Sequence, residues 1–426
     1  MKAFIAATTM TLMLGTMASS ARSMAQEAAP GTASRQLAVV PALASYPAPK
    51  VRAAARSAYL LAYFKDETHS LYFATSPDGY TFTDVNDGAP VLSGRAVADQ
   101  KGVRDPHIMR GPDGDFYMSM TDLHIFAKRE GLRTTDWERP EKDYGWGNNR
   151  NLILMKSHDL LHWTLAKVNV SALFPAFAQA GNVWAPETIW NPARKRMMVY
   201  FTTRIGNGPN FMVQSLANPA FTTLTTEPKQ ILNYPRPKVN TIDADITKIG
   251  DRYHMFYVAH EQPGSIRQAV SRRIDGGYVY DPQKVDPEMV AAEAPNLWKR
   301  YGTNTYVLMY DVFGTRPNNM GFAETTDFKT FRNIGRFNDA GSRMKTTNFT
   351  APKHGTVMAI TPEEAARLRE YFGGNREGRQ PLSVIPDLIR GDERGAGNGR
   401  GEDDRDARVT GQHFFVILLQ EHNGRE

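Results

Sequence analysis

The chain has 426 residues with 23% charged and 41% hydrophobic side chains, a balance that excludes collagen-like, wholly disordered and polytopic membrane proteins. It contains no cysteine, which excludes disulfides, thiolate metal sites and thiol nucleophiles. The formal net charge of +6 is spread along the chain rather than gathered into one run, so we expect no nucleic-acid partner.

Residues 1–25 have the layout of a secretory signal, in which a charged start and a short apolar stretch lead to small residues. The stretch is short for a bilayer span, although a retained membrane anchor is the alternative. We therefore expect a periplasmic or secreted protein with no membrane attachment after cleavage. Residues 26–56, rich in Ala, Pro and Ser, are expected to form a flexible lead-in.

From residue 57 onward, a polar strand start followed by an apolar run recurs. Four copies are Arg104–Ile108 before Asp115–Met118, Trp184–Ile189 before Met197–Phe201, Ile242–Ile246 before Tyr253–Val258, and Glu293–Leu297 before Thr305–Tyr310. A fifth, Tyr59–Phe64, keeps only the apolar run. The runs are continuous rather than alternating, which indicates strands buried on both faces. Five such units predict an all-β fold, a five-bladed β-propeller over residues 57–373.

A second repeated pattern follows the apolar runs and places a Ser or Thr two residues before an Asp and six before an aromatic residue. The three copies are Ser76, Asp78 and Phe82; Ser157, Asp159 and Trp163; and Thr325, Asp327 and Phe331. Such side chains bond to the local backbone in turns. We interpret these Asp residues as turn formers and not as catalytic groups.

The end of the predicted propeller has its own signals. The segment His354–Ile360 resembles a strand and is expected to close the ring by pairing with the first blade. Thr361, Pro362 and Glu364 have the spacing of a capping box, which predicts one short C-terminal helix. Residues 374–426 are rich in Gly, Arg, Asp and Glu, and are expected to form a disordered charged tail.

Three carboxylates occupy equivalent strand starts: Asp105, Asp243 and Glu293. The innermost strands of a propeller begin at the same end of its central channel, so these side chains are expected to meet in one cleft. Clustered carboxylates repel, which raises the pKa of at least one of them while others stay ionised. That division suits acid–base hydrolysis of a glycosidic bond. The alternative is that the three are solvated acids in edge turns.

The segments around these carboxylates, with Trp184–Glu187 and Lys353–Thr356, resemble glycoside hydrolase family 43 over about residues 57–373. The resemblance implies inverting hydrolysis of arabinose-, xylose- or galactose-containing glycans. It also implies that Asp105 is the general base, Glu293 the general acid and Asp243 the orienting carboxylate, with base and acid roughly 6.5–9.5 Å apart. Because Ala244 stands where the family often has proline, Asp245 is the alternative orienting carboxylate.

The same resemblance suggests supporting roles for four other residues. Trp184, Glu187 and Arg316 are expected to bind the sugar, although Trp184 is equally suited to packing between blades. His354 is expected to lie near a structural Ca²⁺ site in the channel, the alternative being a hydrogen-bonded core histidine. No cofactor is expected to be required for the reaction.

The sequence therefore predicts an exported, monomeric, inverting glycoside hydrolase that acts on oligo- or polysaccharides and releases arabinofuranosyl, xylosyl or galactosyl units. The alternative is a non-catalytic propeller that binds glycans without cutting them. A sialidase-like propeller is suggested by the repeated Asp turns, but the aromatic spacing differs and no arginine triad is evident.

Overall fold

The computed structural model describes residues 56–261 and 264–373. The predicted signal, all of the predicted lead-in except Arg56, and the predicted tail lie outside the described residues. Twenty-one strands and few helices make up the described chain. The strands are β1 (Ala58–Lys65), β2 (Ser70–Ser76), β3 (Thr81–Asp84), β4 (Val103–Arg110), β5 (Phe116–Asp122), β6 (Asn151–Ser157), β7 (Trp163–Asn169), β8 (Ala180–Asn191), β9 (Arg196–Ile205), β10 (Phe211–Leu216), β11 (Lys229–Gln230), β12 (Thr241–Ile249), β13 (Arg252–Ala259), β14 (Ser265–Ser271), β15 (Val279–Lys284), β16 (Ala292–Lys299), β17 (Tyr306–Val312), β18 (Met320–Thr325), β19 (Arg332–Arg336), β20 (Lys345–Thr346) and β21 (Lys353–Ile360).

The helices of the described residues are short. They are α1 (Gly94–Val97), α2 (Glu141–Tyr144), α3 (Val170–Leu173), a 3₁₀ turn (Pro175–Phe177) and α4 (Pro362–Gly373). None of them is long and apolar enough to cross a membrane.

The strands form five sheets, each of which is one blade of a propeller. The first blade has the order β20-β3-β2-β1-β21, and the other four are β4-β5-β6-β7, β8-β9-β10-β11, β12-β13-β14-β15 and β16-β17-β18-β19. Five buried apolar clusters lie between neighbouring blades, which explains why the strands carry continuous apolar runs. The predicted five-bladed propeller is confirmed.

The ring closes between the two ends of the propeller. Strand β21 pairs antiparallel with β1, joining Tyr59 to Ala359 and Leu61 to Val357. Helix α4 follows directly, and its capping box is formed as predicted. Glu364 Oε2 accepts the Thr361 N–H at 2.9 Å, and Thr361 Oγ1 accepts the Glu364 N–H at 3.1 Å.

The three repeated Asp residues cap turns. Asp78 Oδ1 accepts the backbone N–H groups of Tyr80 and Thr81, both at 2.8 Å. Asp159 and Asp327 make the same pairs of bonds to the residues two and three positions later. In all three turns the residue after the Asp has a positive φ. These Asp residues are turn formers, as the sequence indicated.

The innermost strands β4, β8, β12 and β16 share a bulge near their start, where the register with the next strand shifts. One residue of each bulge has a positive φ: Asp105 (51°), Ala185 (42°), Asp243 (52°) and Ala294 (59°). Non-glycine residues seldom adopt this conformation, and its recurrence at one position of four blades marks this end of the channel as the candidate site.

Two tiers of hydrogen bonds join each blade to the next around the channel. In the upper tier, Thr121, Thr202 and Asp311 accept the N–H groups of Ala185, Asp243 and His354 in the following blade. In the lower tier, His107, Asp245 and Asn296 accept the N–H groups of Thr188, Leu297 and Val357. These buried bonds fix the relative positions of the strand starts.

Candidate active site

The side chains that surround the bulges form a ring of charged groups at the channel mouth. The residue before each bulge is Arg104, Trp184, Ile242 or Glu293, and Lys353 holds the corresponding position on β21. Asp105 and Asp243 are themselves bulge residues, whereas Glu293 precedes its bulge residue Ala294. The structure thus brings Asp105, Asp243 and Glu293 to the same end of the channel.

Asp105 is held as a carboxylate. Its Oδ2 accepts a hydrogen bond from Thr121 Oγ1 at 2.7 Å, and its Oδ1 lies 3.1 Å from His354 Nδ1. Burial alone would raise the pKa of Asp105, but His354 and Arg104 together hold that pKa well below its usual value. For His354, burial is outweighed by Asp105, Asp243 and Asp311, which raise its pKa to about 9. The pair is therefore a buried imidazolium and carboxylate at neutral pH.

The pKa of Asp243 is shifted in the opposite direction to that of Asp105. Burial raises its pKa to about 8, with further contributions from Glu293, Asp105 and Asp311 that outweigh the effect of His354. The raised pKa of Asp243 favours its protonated form, in the same cleft as an Asp105 whose ionised form is favoured. This division between neighbouring carboxylates is the one expected from the sequence.

Glu293 is the most exposed of the three, with 22% of its side chain accessible. The Lys353 ammonium lies 3.8 Å from Glu293 Oε1, 3.7 Å from Asp311 Oδ2 and 3.8 Å from Asp66 Oδ2. Asp66 also accepts a hydrogen bond from Arg104 Nη1 at 2.9 Å. Two cations and three carboxylates thus alternate along the side of the cleft that holds Glu293.

Asp245 and Glu187 lie in the lower tier with His107. The ligand atoms of these three residues are within 4.8 Å of one another, and all three side chains are buried. Asp245 Oδ2 accepts the Leu297 N–H at 2.7 Å, and Glu187 Oε2 accepts the Tyr200 hydroxyl at 2.7 Å. The hydrogen bonds of Glu187 are thus to a core tyrosine, and its predicted role in sugar binding stays a prediction.

The two lower-tier carboxylates suit a hard cation such as Ca²⁺. Burial raises their pKa values, to about 7 for Asp245 and well above its usual value for Glu187, so a cation would favour their ionised forms. His107 does not fit as a ligand, because its Nδ1 accepts the Thr188 N–H at 3.2 Å and the neutral ring then carries its proton on Nε2. The residues that would hold Ca²⁺ are therefore Glu187 and Asp245, and calcium titration of chelator-treated protein by calorimetry tests this.

A comparison with protein families agrees with this geometry. A family model for a glycoside hydrolase family 43-related domain, described as "Probable glycosyl hydrolase domain", matches residues 55–366. The chain belongs to this family.

Individual proteins resemble parts of this family 43-related domain. An alpha-L-arabinofuranosidase of Bifidobacterium longum subsp. longum is 27% identical over 212 residues, which are 44% of this chain and 18% of that protein. The chain therefore spans less than a fifth of that relative. The catalytic domain of the Coprinopsis cinerea family 62 alpha-L-arabinofuranosidase is 13% identical, with 62% of this chain and 78% of that one covered and a TM-score of 0.43. An exo-beta-1,3-galactanase from Clostridium thermocellum is 14% identical, with 57% and 49% covered and a TM-score of 0.41.

In this family 43-related domain, Trp184 stands at the same strand position as Arg104 and Glu293, so its indole belongs to the wall of the mouth. Trp184 Nε1 donates to the Gly147 carbonyl at 2.9 Å, and its ring meets Trp146 edge-on at 5.8 Å. The Arg204 guanidinium lies 4.9 Å from the ring centroid. The indole is thus fixed by the loop that precedes β6 and is only partly buried.

The segment 137–150 of that loop, with its aromatic, Asn and Gly residues, has a sequence that predicts an exposed loop over the channel mouth, and the structure differs from this expectation. Asn148 and Asn149 are fully buried, and Trp137 is 7% exposed. Asn149 bonds to both the N–H and the carbonyl of Val183, which ties the loop to β8. Within residues 137–150, the exposed stretch is Pro140–Asp143, which includes the start of α2. The buried asparagines make the loop a rigid part of the wall.

Arg316 lies in the exposed turn between β17 and β18. Its Nη1 bonds to the Thr315 carbonyl at 2.9 Å and to Asn318 Oδ1 at 3.3 Å. Asn318 in turn donates to Asp66 Oδ2 at 3.2 Å, so the turn borders the charged ring. The predicted contact of Arg316 with a sugar stays a prediction, as does a metal near His354.

Sequence reasoning missed Arg104, Lys353, Asp66 and Asp311 as members of the ring. A signal was present for Asp311, which is the only charged residue of the apolar strand β17. Arg104 and Lys353 directly precede Asp105 and His354, and each corresponds to Glu293 on its own strand. The equivalence becomes visible only when the strands are aligned by their register.

Proposed function

We propose that this family 43-related domain hydrolyses glycosidic bonds with inversion, Asp105 acting as general base and Glu293 as general acid. The observation that carries the proposal is the division of charge in the cleft. Asp105 bonds to His354 and Thr121, which favour its ionised form, while burial raises the pKa of Asp243 to about 8. A base must be ionised before the reaction, and the clustered acids supply proton-holding groups.

In the proposed reaction, Asp105 takes a proton from a water molecule whose oxygen forms a bond to the anomeric carbon. The bond from that carbon to the glycosidic oxygen breaks, and Glu293 gives its proton to the leaving oxygen. Asp243, at the same end of the channel, orients the reacting groups. Asp245 is less suited to this role because its carboxylate is bonded to the Leu297 N–H in the tier below.

We propose arabinofuranosyl, xylosyl or galactosyl units in oligo- or polysaccharides as the substrates. The arabinofuranosidase and galactanase activities named for the similar proteins support this range. The indole of Trp184, held by Gly147 and Trp146, offers an apolar face to a sugar ring. We call this surface the tryptophan wall. Export follows from the signal-like residues 1–25, and the N-terminal sequence of the mature protein, which we expect to begin at Gln26, tests it.

Hydrolysis of nitrophenyl arabinofuranoside, xyloside and galactoside tests the proposal. We expect turnover of at least one substrate by the wild type, and a loss of about 10²-fold or more in Asp105→Asn and Glu293→Gln, because each lacks one proton-transfer group. Asp339→Asn, an exposed acid on the outer edge of the fifth blade, serves as the control. If no aryl glycoside or polymer is cleaved while saccharides still bind, the domain is a glycan-binding propeller.

A further inference from the structure

The upper tier of hydrogen bonds contains an internal comparison that concerns Asp311. Thr121, Thr202 and Asp311 each lie directly opposite the residue that precedes a bulge, namely Arg104, Trp184 and Glu293. Each accepts the N–H of a residue in the next blade, at 2.8, 3.1 and 2.9 Å respectively. A neutral threonine hydroxyl is therefore sufficient for this structural bond in two blades.

Asp311 makes the same bond to the next blade with a carboxyl group in place of a hydroxyl. Only one of its two oxygens is needed for that bond. Asp311 Oδ1 accepts the His354 N–H, whereas Oδ2 is buried and receives no hydrogen bond from the described residues. The Lys353 ammonium lies 3.7 Å from Oδ2. Burying a carboxylate oxygen without a hydrogen bond costs free energy that a threonine would not cost.

Lys353 connects this carboxylate to the general acid. Its ammonium lies 3.7–3.8 Å from Asp311, Asp66 and Glu293, too far for strong hydrogen bonds but close enough for strong charge interaction in a buried site. Burial raises the pKa of Asp311, and the charge of Glu293, directly across the strand pair, adds to this effect. Burial lowers the pKa of Lys353, but Asp311, Asp66 and Glu293 together raise it. The charge of Glu293 is thus unfavourable for an ionised Asp311 and favourable for Lys353.

We propose that Asp311 and Lys353 are positioning residues that set the proton affinity of Glu293 from opposite sides. This inference rests on the proposed role of Glu293 as the general acid. Asp311 keeps the Glu293 proton in place until the glycosidic oxygen takes it, and Lys353 keeps the resulting carboxylate from being too basic.

Other charged groups also face Glu293, and all of them stay unchanged in the test. They are Asp243 on β12, Arg104 on β4 and His260 after β13. Asp311 also interacts with Asp243 and His354, so the test needs a signal specific to Glu293 beside the pH profile.

The test compares Asp311→Asn and Lys353→Met with the wild type in the pH dependence of kcat/KM. The amide of Asp311→Asn still accepts the His354 N–H, so the blade contact is kept while the charge is lost. We expect the alkaline limb to move by about one pH unit to lower pH in Asp311→Asn, and by a similar amount to higher pH in Lys353→Met. Asp311→Thr, which copies Thr121 and Thr202, should shift in the same direction as Asp311→Asn.

A second measurement does not depend on turnover. The infrared band of the protonated Glu293 carboxyl, assigned by its absence in Glu293→Gln, should titrate at lower pH in Asp311→Asn and at higher pH in Lys353→Met. If the alkaline limb and the titration midpoint of the Glu293 band stay at their wild-type pH in both variants, or shift in the same direction in both, the inference is overturned. If the band shifts as expected in a protein that cleaves no glycoside, the proposed function fails and the electrostatic inference stands.

Discussion

At the scale of single residues, the candidate site depends on which carboxylates keep a proton. Asp105 and Asp243 have the same backbone conformation in equivalent bulges, yet their neighbours push their pKa values apart. Asp105 is bonded to His354 and Thr121, whereas Asp243 is buried among other acids. The identity of an acid in the sequence does not give this division, because it comes from side chains of other blades.

The sequence identified Asp105, Asp243 and Glu293, because each occupies a strand start whose neighbouring residues are recognisable. It left the choice between Asp243 and Asp245 open, since two residues along a regular strand share a face. In the structure, the bulge places Asp243 in the upper tier and Asp245 in the lower tier. The positive φ of Asp243 that goes with this bulge could not be predicted from local sequence. Asp311 was missed because its role depends on its position opposite Glu293, which only the strand register shows.

Replacing His354 by Asn should make the pH dependence of the base visible. The amide nitrogen can still donate to Asp105, but the positive charge that lowers the pKa of Asp105 is lost. A higher pKa means that Asp105 becomes protonated at a higher pH, so the acid limb of kcat/KM should move up by about one pH unit or more.

His254→Asn is the control for this change, because His254 lies on β13 and bonds to Gln268 on β14, away from the strand starts. An acid limb that stays at the wild-type pH in the His354 variant would show that the imidazolium does not govern the base.

At the scale of elements, the innermost strands and one loop build the mouth. Each bulge lies between an upper-tier and a lower-tier position of its strand, as with Asp243 and Asp245 on β12. The loop before β6 places Trp146 beside Trp184 and is held by Asn149. The sequence indicated an aromatic loop at the mouth but not its burial. Asparagines are typical of exposed loops, yet they can equally well bond to buried backbone groups, as Asn149 does here.

Gly147→Ala should displace the wall without altering the carboxylates. A Cβ at Gly147 would lie 2.9 Å from Trp184 Cζ2, so the indole has to move. We expect KM to rise several-fold with kcat less affected, because sugar stacking contributes to binding rather than to proton transfer.

Gly131→Ala is the matched control. Gly131 has a φ of +69°, close to the +64° of Gly147, but a Cβ there would meet no atom within 4 Å. Both variants should lose about 1 kcal/mol of stability from the backbone conformation. Equal KM values in the two variants would show that Trp184 does not contribute to sugar binding.

At the scale of the whole molecule, the propeller brings together acids that are far apart in sequence. Strand β21 completes the first blade beside β1, and it carries Lys353 and His354 into the ring of charges. The repeated apolar runs and strand starts sufficed to predict five blades and their closure. The order of charges around the mouth was not predictable, since it depends on which residue of each blade faces the next one.

The measurement that tests the central claim most directly is the configuration of the sugar when it is first released. Proton NMR can follow the best aryl glycoside substrate before the product anomers interconvert. If Asp105 activates water and Glu293 protonates the leaving oxygen, the first-formed anomer is inverted relative to the substrate. A first-formed anomer of retained configuration would contradict the account, because it would require a carboxylate to attack the sugar directly.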